Sequence, residues 1–287
     1  MLFLIASIIS STLIVLIFKI SERFSCKLFH LIVLNYLAAT ILGFLLLEDS
    51  APIYSIVDKT WIWYAVTIGL LFICMFFIIG KSAQIAGITV TSVAAKMSMI
   101  IPILFSMLYF SEEATLAKGT GFLLAIASVL LSIYKKEKRQ QQLYLFVLPL
   151  LIFRGTKIID SLVKFAQEIK IPDNEIALFS STVFFIALIS GETVSIFKKE
   201  GIKPYFHSPT LLLGILLGLA NFGSLYFLIK ALDNGVLESS VVFAVNNISI
   251  VALSTIIGVS VFKEKISIIN FIGIILALIS IYILTNY

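Results

Sequence analysis

Residues 68–79 read Ile-Gly-Leu-Leu-Phe-Ile-Cys-Met-Phe-Phe-Ile-Ile, with no charged side chain on any face. A strand of a membrane barrel would alternate apolar and polar residues over about ten positions. A run that is apolar on every face belongs in lipid as a helix, which satisfies its own backbone hydrogen bonds there. Crossing the hydrocarbon core takes about 20 such residues. Ten segments of the chain qualify: Leu2–Phe18, Leu28–Leu47, Trp61–Gly80, Gly87–Phe110, Leu116–Tyr134, Leu143–Lys164, Glu175–Phe197, Pro209–Lys230, Val236–Phe262 and Ile266–Tyr287. The connections between them are too short for a soluble domain. Composition agrees. Of the 287 residues 60% are hydrophobic and 13% charged, against about 45–50% and 25% in soluble domains. The first span lacks a basic leader and an obvious cleavage site, so it reads as a retained helix rather than a signal peptide. Cys74 lies within an apolar run and Cys26 is the only other cysteine, so a disulfide framework is not expected.

The charges assign the faces. The odd-numbered connections (first to second span, third to fourth, and so on) carry 13 of the 21 Lys and Arg residues, whereas the even face, span ends included, carries five. Eight acids crowd the even face: Glu48, Asp49, Asp58, Glu112, Glu113, Glu168, Asp173 and Glu175. The positive-inside rule makes the odd face cytoplasmic and puts both termini outside the cytoplasm. The net charge of +5 is then a topology signal rather than a nucleic-acid footprint.

The chain also repeats itself. Phe110-Ser-Glu112, Gly121, Leu124-Ala125 and Ser128 recur 152 residues later as Phe262-Lys-Glu264, Gly273, Leu276-Ala277 and Ser280. Gly43 and Gly191 are 148 apart, and Gly69 and Gly218 are 149 apart. A five-span unit copied in tandem must be inverted, because five crossings leave the chain on the opposite side. Charge reverses accordingly: the acidic second connection (Glu48, Asp49, Asp58) has a basic mate (Lys198, Lys199, Lys203). The expected architecture is an all-α integral membrane protein of ten transmembrane helices. Residues 1–141 form the first five-helix repeat and residues 142–287 the second, inverted one, within one membrane domain. Inverted repeats are a frequent plan for secondary transporters, with the substrate site near mid-membrane between the halves.

With these motifs, Ile101-Pro102-Ile103, Glu112, Gly121 and then Phe262-Lys-Glu264, Gly273, the chain resembles the drug/metabolite transporter superfamily, its EamA-type branch above all. The spacing from Pro102 to Glu112 is shorter than the common pattern by about one helical turn, and the second half has no matching proline. The resemblance implies transport of amino acids, nucleotide sugars, phosphorylated sugars, drugs or other metabolites, usually outward. It implies a cavity lined by the first, third, fourth, sixth, eighth and ninth helices, and it describes termini in the cytosol, contrary to the charge count.

Polar residues inside the spans are the candidate site, because an ionised group at mid-bilayer costs at least about 2.5–3.5 kcal/mol. Lys96 lies about nine residues from the nearer end of its span, too deep to snorkel readily. Arg154, Lys157 and Asp160 repeat every three residues on the sixth span, either as a cavity cation with partners or as an ion-paired seal. Asn246 and Asn247 are neighbours on the ninth span, so at most one points directly into a cavity; the other is expected to bond a neighbouring helix. Asn221 joins them as a neutral hydrogen-bonding residue. The substrate set is therefore Lys96, Arg154, Asn246, Asn247 and Asn221, with Glu238, Lys157 and Asp160 as coupling or charge partners.

The expectation is a secondary transporter, working by alternating access, for a small polar or amphipathic metabolite such as an amino acid or an organic or phosphorylated anion. Export is the expected direction and the cell membrane the expected place. Its partners are the substrate, the bilayer, and a proton or counter-substrate, with the chain as monomer or homodimer and no nucleic acid. No cofactor, metal or enzymatic set is expected, since the two histidines, His30 and His207, are far apart and no phosphate-binding glycine loop occurs. The alternatives are a membrane-embedded enzyme, a channel and a scaffold.

Overall fold

The computed structural model describes residues 1–47, 53–96, 116–133, 142–172, 175–199, 201–233 and 239–286. Its α-helices are α1 (Leu2–Arg23), α2 (Leu28–Leu45), α3 (Ile62–Ile85), α4 (Ile88–Lys96), α5 (Leu116–Ile133), α6 (Gln142–Lys170), α7 (Ile176–Phe197), α8 (Ser208–Asp233), α9 (Ser239–Ser260) and α10 (Ile268–Asn286). No strand occurs among the described residues. Residues 97–110 of the expected fourth span, and Val236–Glu238 of the ninth, lie outside them.

Several helices outrun the apolar runs that announced them. α3 continues to Ile85 and α6 to Lys170. Hydropathy marks where lipid stops, whereas the backbone keeps its helical bonds until a residue turns it. On the odd face those residues adopt left-handed conformations: Ser25 (φ 52°), Gly87 (φ 101°), Lys199 (φ 51°) and Lys263 (φ 52°). The helix ends close accordingly. The Cys26 N–H bonds back to the Ser21 carbonyl at 3.0 Å, and that of Phe262 to Ile257 at 3.3 Å. Such six-to-one bonds satisfy carbonyls that a helix end leaves orphaned.

Five of the described helices (α1, α2, α3, α7 and α8) are long and apolar enough to cross a bilayer. Large apolar side chains stay outside the packed interior, among them Leu2, Trp63, Leu123, Leu212 and Ile256. Exposed apolar surface on this scale marks a surface that contacts something other than water. By length and composition the chain is an all-α, multi-pass membrane protein.

α2, α3, α7 and α8 pack around an aromatic core of Tyr36, Phe72, Phe76, Phe179, Phe184 and Phe222. α1 lies against α8 and α9, α6 against α3 and α4, α4 against α9, and α5 against α10. Lipid gives helices no hydrophobic reason to associate, so close backbone approach and polar contacts do that work. Glycines supply the approach. A Cβ on Gly69 would stand 2.7 Å from the Val183 carbonyl of α7, and one on Gly218 would stand 2.5 Å from the Asn35 carbonyl of α2. A Cβ on Gly43 would strike Ser181, and one on Gly191 would stand 3.1 Å from Val33. The two halves are also tied by Glu175, which accepts hydrogen bonds from Lys59 and, at 2.7 Å, from the indole of Trp61.

Gly218→Val should therefore destabilise the fold by about 1–3 kcal/mol, the usual cost of overpacking, read as a lower melting temperature in detergent. Gly119→Ala on α5, where an added Cβ meets nothing within 4 Å, should leave that temperature unchanged or raise it.

Candidate functional site

A cavity of about 140 Å³ lies where α1, α3, α6, α8 and α9 converge. α1 contributes Ser11 and Ile14, and α3 contributes Phe72, Met75, Phe76 and Ile79. Thr156, Ile159 and Val163 come from α6; Asn221, Ser224, Leu225 and Leu228 from α8; and Asn246 from α9. The spacing of three and four within each helix puts each set on a single face. These positions lie five or more residues inside the ends of their helices.

The walls divide by chemistry. Aromatic and aliphatic groups make up the larger part, and a few hydroxyls and amides supply direction. Ser11 and Ser224 share a hydrogen bond of 2.6 Å between their hydroxyls, and Ser7 donates to the Ser224 carbonyl at 3.2 Å. Thr156 donates to the Ile152 carbonyl of its own helix at 2.7 Å and lies 3.2 Å from the Ala95 carbonyl of α4. The Asn221 amide donates to Asn35 Oδ1 at 3.1 Å, and Asn35 donates to the Ile32 carbonyl at 3.3 Å. Asn246 is 1% exposed. Among the described residues its Oδ1 has no donor. A buried carbonyl oxygen without a partner costs about 1–3 kcal/mol, so this atom is one that a bound donor would satisfy.

None of the described lining residues is ionisable. Arg154 is exposed on α6. It stands two residues from Thr156, about 200° around the helix, and so faces away from the cavity. The three-residue spacing that suggested a cavity cation is real, but that face of the helix is the wrong one. Lys157 is half-buried and about 100° from Thr156, off the lining. Asn247 is buried, has a partner, and is not among the lining residues. Lys96 ends the described part of α4, one residue beyond the carbonyl that Thr156 meets. The side chains of Lys96 and Asp160, and the whole of Glu238, lie outside the described residues.

No protein-family model matches the chain. It is 30% identical over 289 residues to an uncharacterized protein of Haemophilus influenzae, with 98% of this chain and 96% of that one covered. The chain belongs to that protein's family. Among solved structures, one crystal structure of a protein superposes on this family member with a TM-score of 0.62, covering 98% of this chain and 94% of its own. The two are 16% identical, so what they share is the fold.

Ser11, Ser224 and Thr156 went unnoticed in the sequence. Ser7 and Ser11 are four apart and share a helix face, the one signal available, but single hydroxyls are common in apolar helices. Glu264 was noticed only as a repeat marker. Its carboxylate accepts the Ile88 N–H at 2.8 Å, the Thr89 N–H at 3.4 Å and the Thr89 hydroxyl at 2.9 Å.

The buried Asn35–Asn221 pair gives a direct measurement. Asn221→Leu strands Asn35 Oδ1 and should cost about 1–2 kcal/mol. Adding Asn35→Leu should cost less than the two single changes summed, as a double-mutant cycle on thermal stability would show.

Proposed function

We propose that this protein is a secondary transporter of the drug/metabolite type: ten membrane helices in two inverted five-helix halves that carry a small polar or amphipathic metabolite by alternating access. The observation that carries the reading is the internal symmetry of the cavity. On α3 and α8, Phe72 and Asn221, Met75 and Ser224, Phe76 and Leu225, and Ile79 and Leu228 are each 149 residues apart, and all eight line it. On α1 and α6, Ser11 and Thr156, and Ile14 and Ile159, are each 145 apart and also line it. Matched positions from two halves face one space, as a site between repeats requires.

Helix packing supports the same exchange. Advancing each helix number by five turns the α1–α8 contact into α6–α3, α2–α8 into α7–α3, and α1–α9 into α6–α4; α2–α7, α4–α9 and α5–α10 map onto themselves. The glycine contacts are reciprocal too. Gly69 meets Val183 and Ile186, and Gly218 meets Asn35 and Ala38, their counterparts 148 residues earlier. Gly43 meets Ser181, while Gly191 meets Val33, again 148 earlier.

The cavity sets the ligand's character. Its volume is close to the roughly 150 Å³ of an engineered cavity that holds one benzene ring. A compact ligand with an apolar body suits the Phe72, Phe76 and Ile159 side, and its donor suits Asn246 Oδ1. Lys96, next to the α4 carbonyl at the cavity wall, supplies the cation for a carboxylate or phosphate, with Asn221 and Asn246 as neutral partners and Glu238 as the coupling carboxylate. The lysine-rich odd face is cytoplasmic, and export across the cell membrane is the direction.

Thermal-shift screening of the purified protein against metabolites is the first test. A ligand at 100 times its Kd stabilises the folded state by about 2.7 kcal/mol. A metabolite found this way should show saturable counterflow in proteoliposomes, whereas a channel would show flux without counterflow. Lys96→Ala should abolish that flux while leaving expression and folding intact; unchanged flux would remove Lys96 from the site.

A further inference from the structure

At the odd-loop end of the molecule, a carboxylate from one half holds a helix of the other. α4 begins at Ile88, and a helix start leaves backbone N–H groups without partners and carries partial positive charge. Glu264, on the connection between α9 and α10, supplies the missing acceptors: Oε1 takes the Ile88 N–H, and Oε2 takes the Thr89 N–H and hydroxyl. Hydrogen bonds to an ionised carboxylate are about twice as strong as neutral ones.

The surroundings are shaped to admit it. A Cβ on Gly87 would stand 2.7 Å from Glu264 Oε1. One on Gly258, in the last turn of α9, would stand 2.6 Å from Thr89 Oγ1 and 2.7 Å from Glu264 Oε2. Lys263 turns the chain with φ 52°, and the Glu264 N–H bonds back to the Gly258 carbonyl at 2.9 Å. A second contact joins the halves nearby, where the Arg23 guanidinium at the end of α1 lies 4.8 Å over the ring of Phe262.

The latched helix leads to the cavity. Seven residues beyond Ile88, about 10 Å at 1.5 Å per residue, the Ala95 carbonyl of α4 faces Thr156 of the cavity wall. The contact with Glu264 and the backbone of Lys96 therefore lie on the same helix.

We propose that Glu264 is a latch: by tying the α9–α10 corner to the start of α4, it closes the central cavity toward the face of the odd-numbered connections, and the cycle breaks it to open that face. This rests on the transport reading. Glu264 touches no substrate and acts as a positioning residue through α4. In a merely structural cap, its loss would loosen the protein without favouring either face.

Side-specific labelling separates these cases. The full chain with Cys26→Ala and Cys74→Ala takes a reporter, Ser224→Cys, in the cavity wall. A parallel chain with Lys265→Cys identifies the face that carries Glu264. Membrane vesicles of each orientation are treated with a membrane-impermeant maleimide. With Glu264→Gln, labelling from the Glu264 face should rise about tenfold, because losing a charge-assisted contact shifts the population toward opening there. Labelling from the opposite face should fall. Gly258→Ala, which pushes a methyl against the carboxylate without altering it, should do the same and serves if Glu264→Gln does not fold. Unchanged rates, or an equal rise from both faces, would overturn the latch. Labelling needs no transported substrate. Faster one-sided labelling without counterflow of any metabolite keeps the latch and removes the transport reading; counterflow with unchanged labelling does the reverse.

Discussion

Close approach of helices at glycines is the contact on which this structure depends. In a bilayer, burying one apolar side chain against another gains little over leaving it in lipid, so helices associate where their backbones can come near enough for dispersion and polar contacts to add up. Gly43, Gly69, Gly191 and Gly218 allow that for α2, α3, α7 and α8. The aromatic core of Tyr36, Phe76, Phe184 and Phe222 fills what remains between them. Gly69 and Gly218 meet backbone carbonyls, so the spacing there cannot be recovered by rotating a side chain away.

Tight packing at those crossings leaves room elsewhere. α1 meets α8, and α6 meets α3, at glycines as well, Gly223 against Ser10 and Gly155 against Met75, and the central cavity opens where these pairs and α9 converge. Polar groups there gain strength from the low dielectric and are correspondingly costly when unpaired. Most are paired within the protein: Ser11 with Ser224, Asn221 with Asn35, Thr156 with backbone carbonyls. That leaves Asn246 Oδ1 as the lining atom whose partner has to come from outside the described residues. The described walls of this cavity are uncharged.

Element type was legible in the sequence because hydropathy in lipid is a length measurement: each described α-helix overlaps one of the apolar runs, and five are long and apolar enough to span a bilayer. Their ends were less legible, since Ile85 and Lys170 belong to helices that continue past the apolar run under backbone control. Gly69 and Gly218 were legible as a repeat pair, yet the carbonyls they approach are set by crossing geometry that no single segment encodes. Among the site residues, helical phase decided the outcome. Asn221 and Asn246 fall on the inner faces of α8 and α9. Arg154 carries the stronger chemical signal but sits half a turn off the lining. A charge in an apolar run reports that something must solvate it, and it says nothing about which side of the helix does so.

Glu264 shows the complementary case, in which phase and spacing were visible and the role was not. The pairing of Glu112 with Glu264 at 152 residues identified a repeated position, and repeated glutamates in connections of opposite charge bias read naturally as topology markers. A carboxylate that only balanced local charge would be free to face water beside Lys263 and Lys265. Instead both its oxygens are turned inward onto backbone N–H groups of another helix, and Gly87 and Gly258 give up side chains to make the space. Three concessions from two halves of the chain converge on one contact at one end of the molecule. Surface electrostatics requires none of them, whereas a contact that must form with defined geometry requires all three.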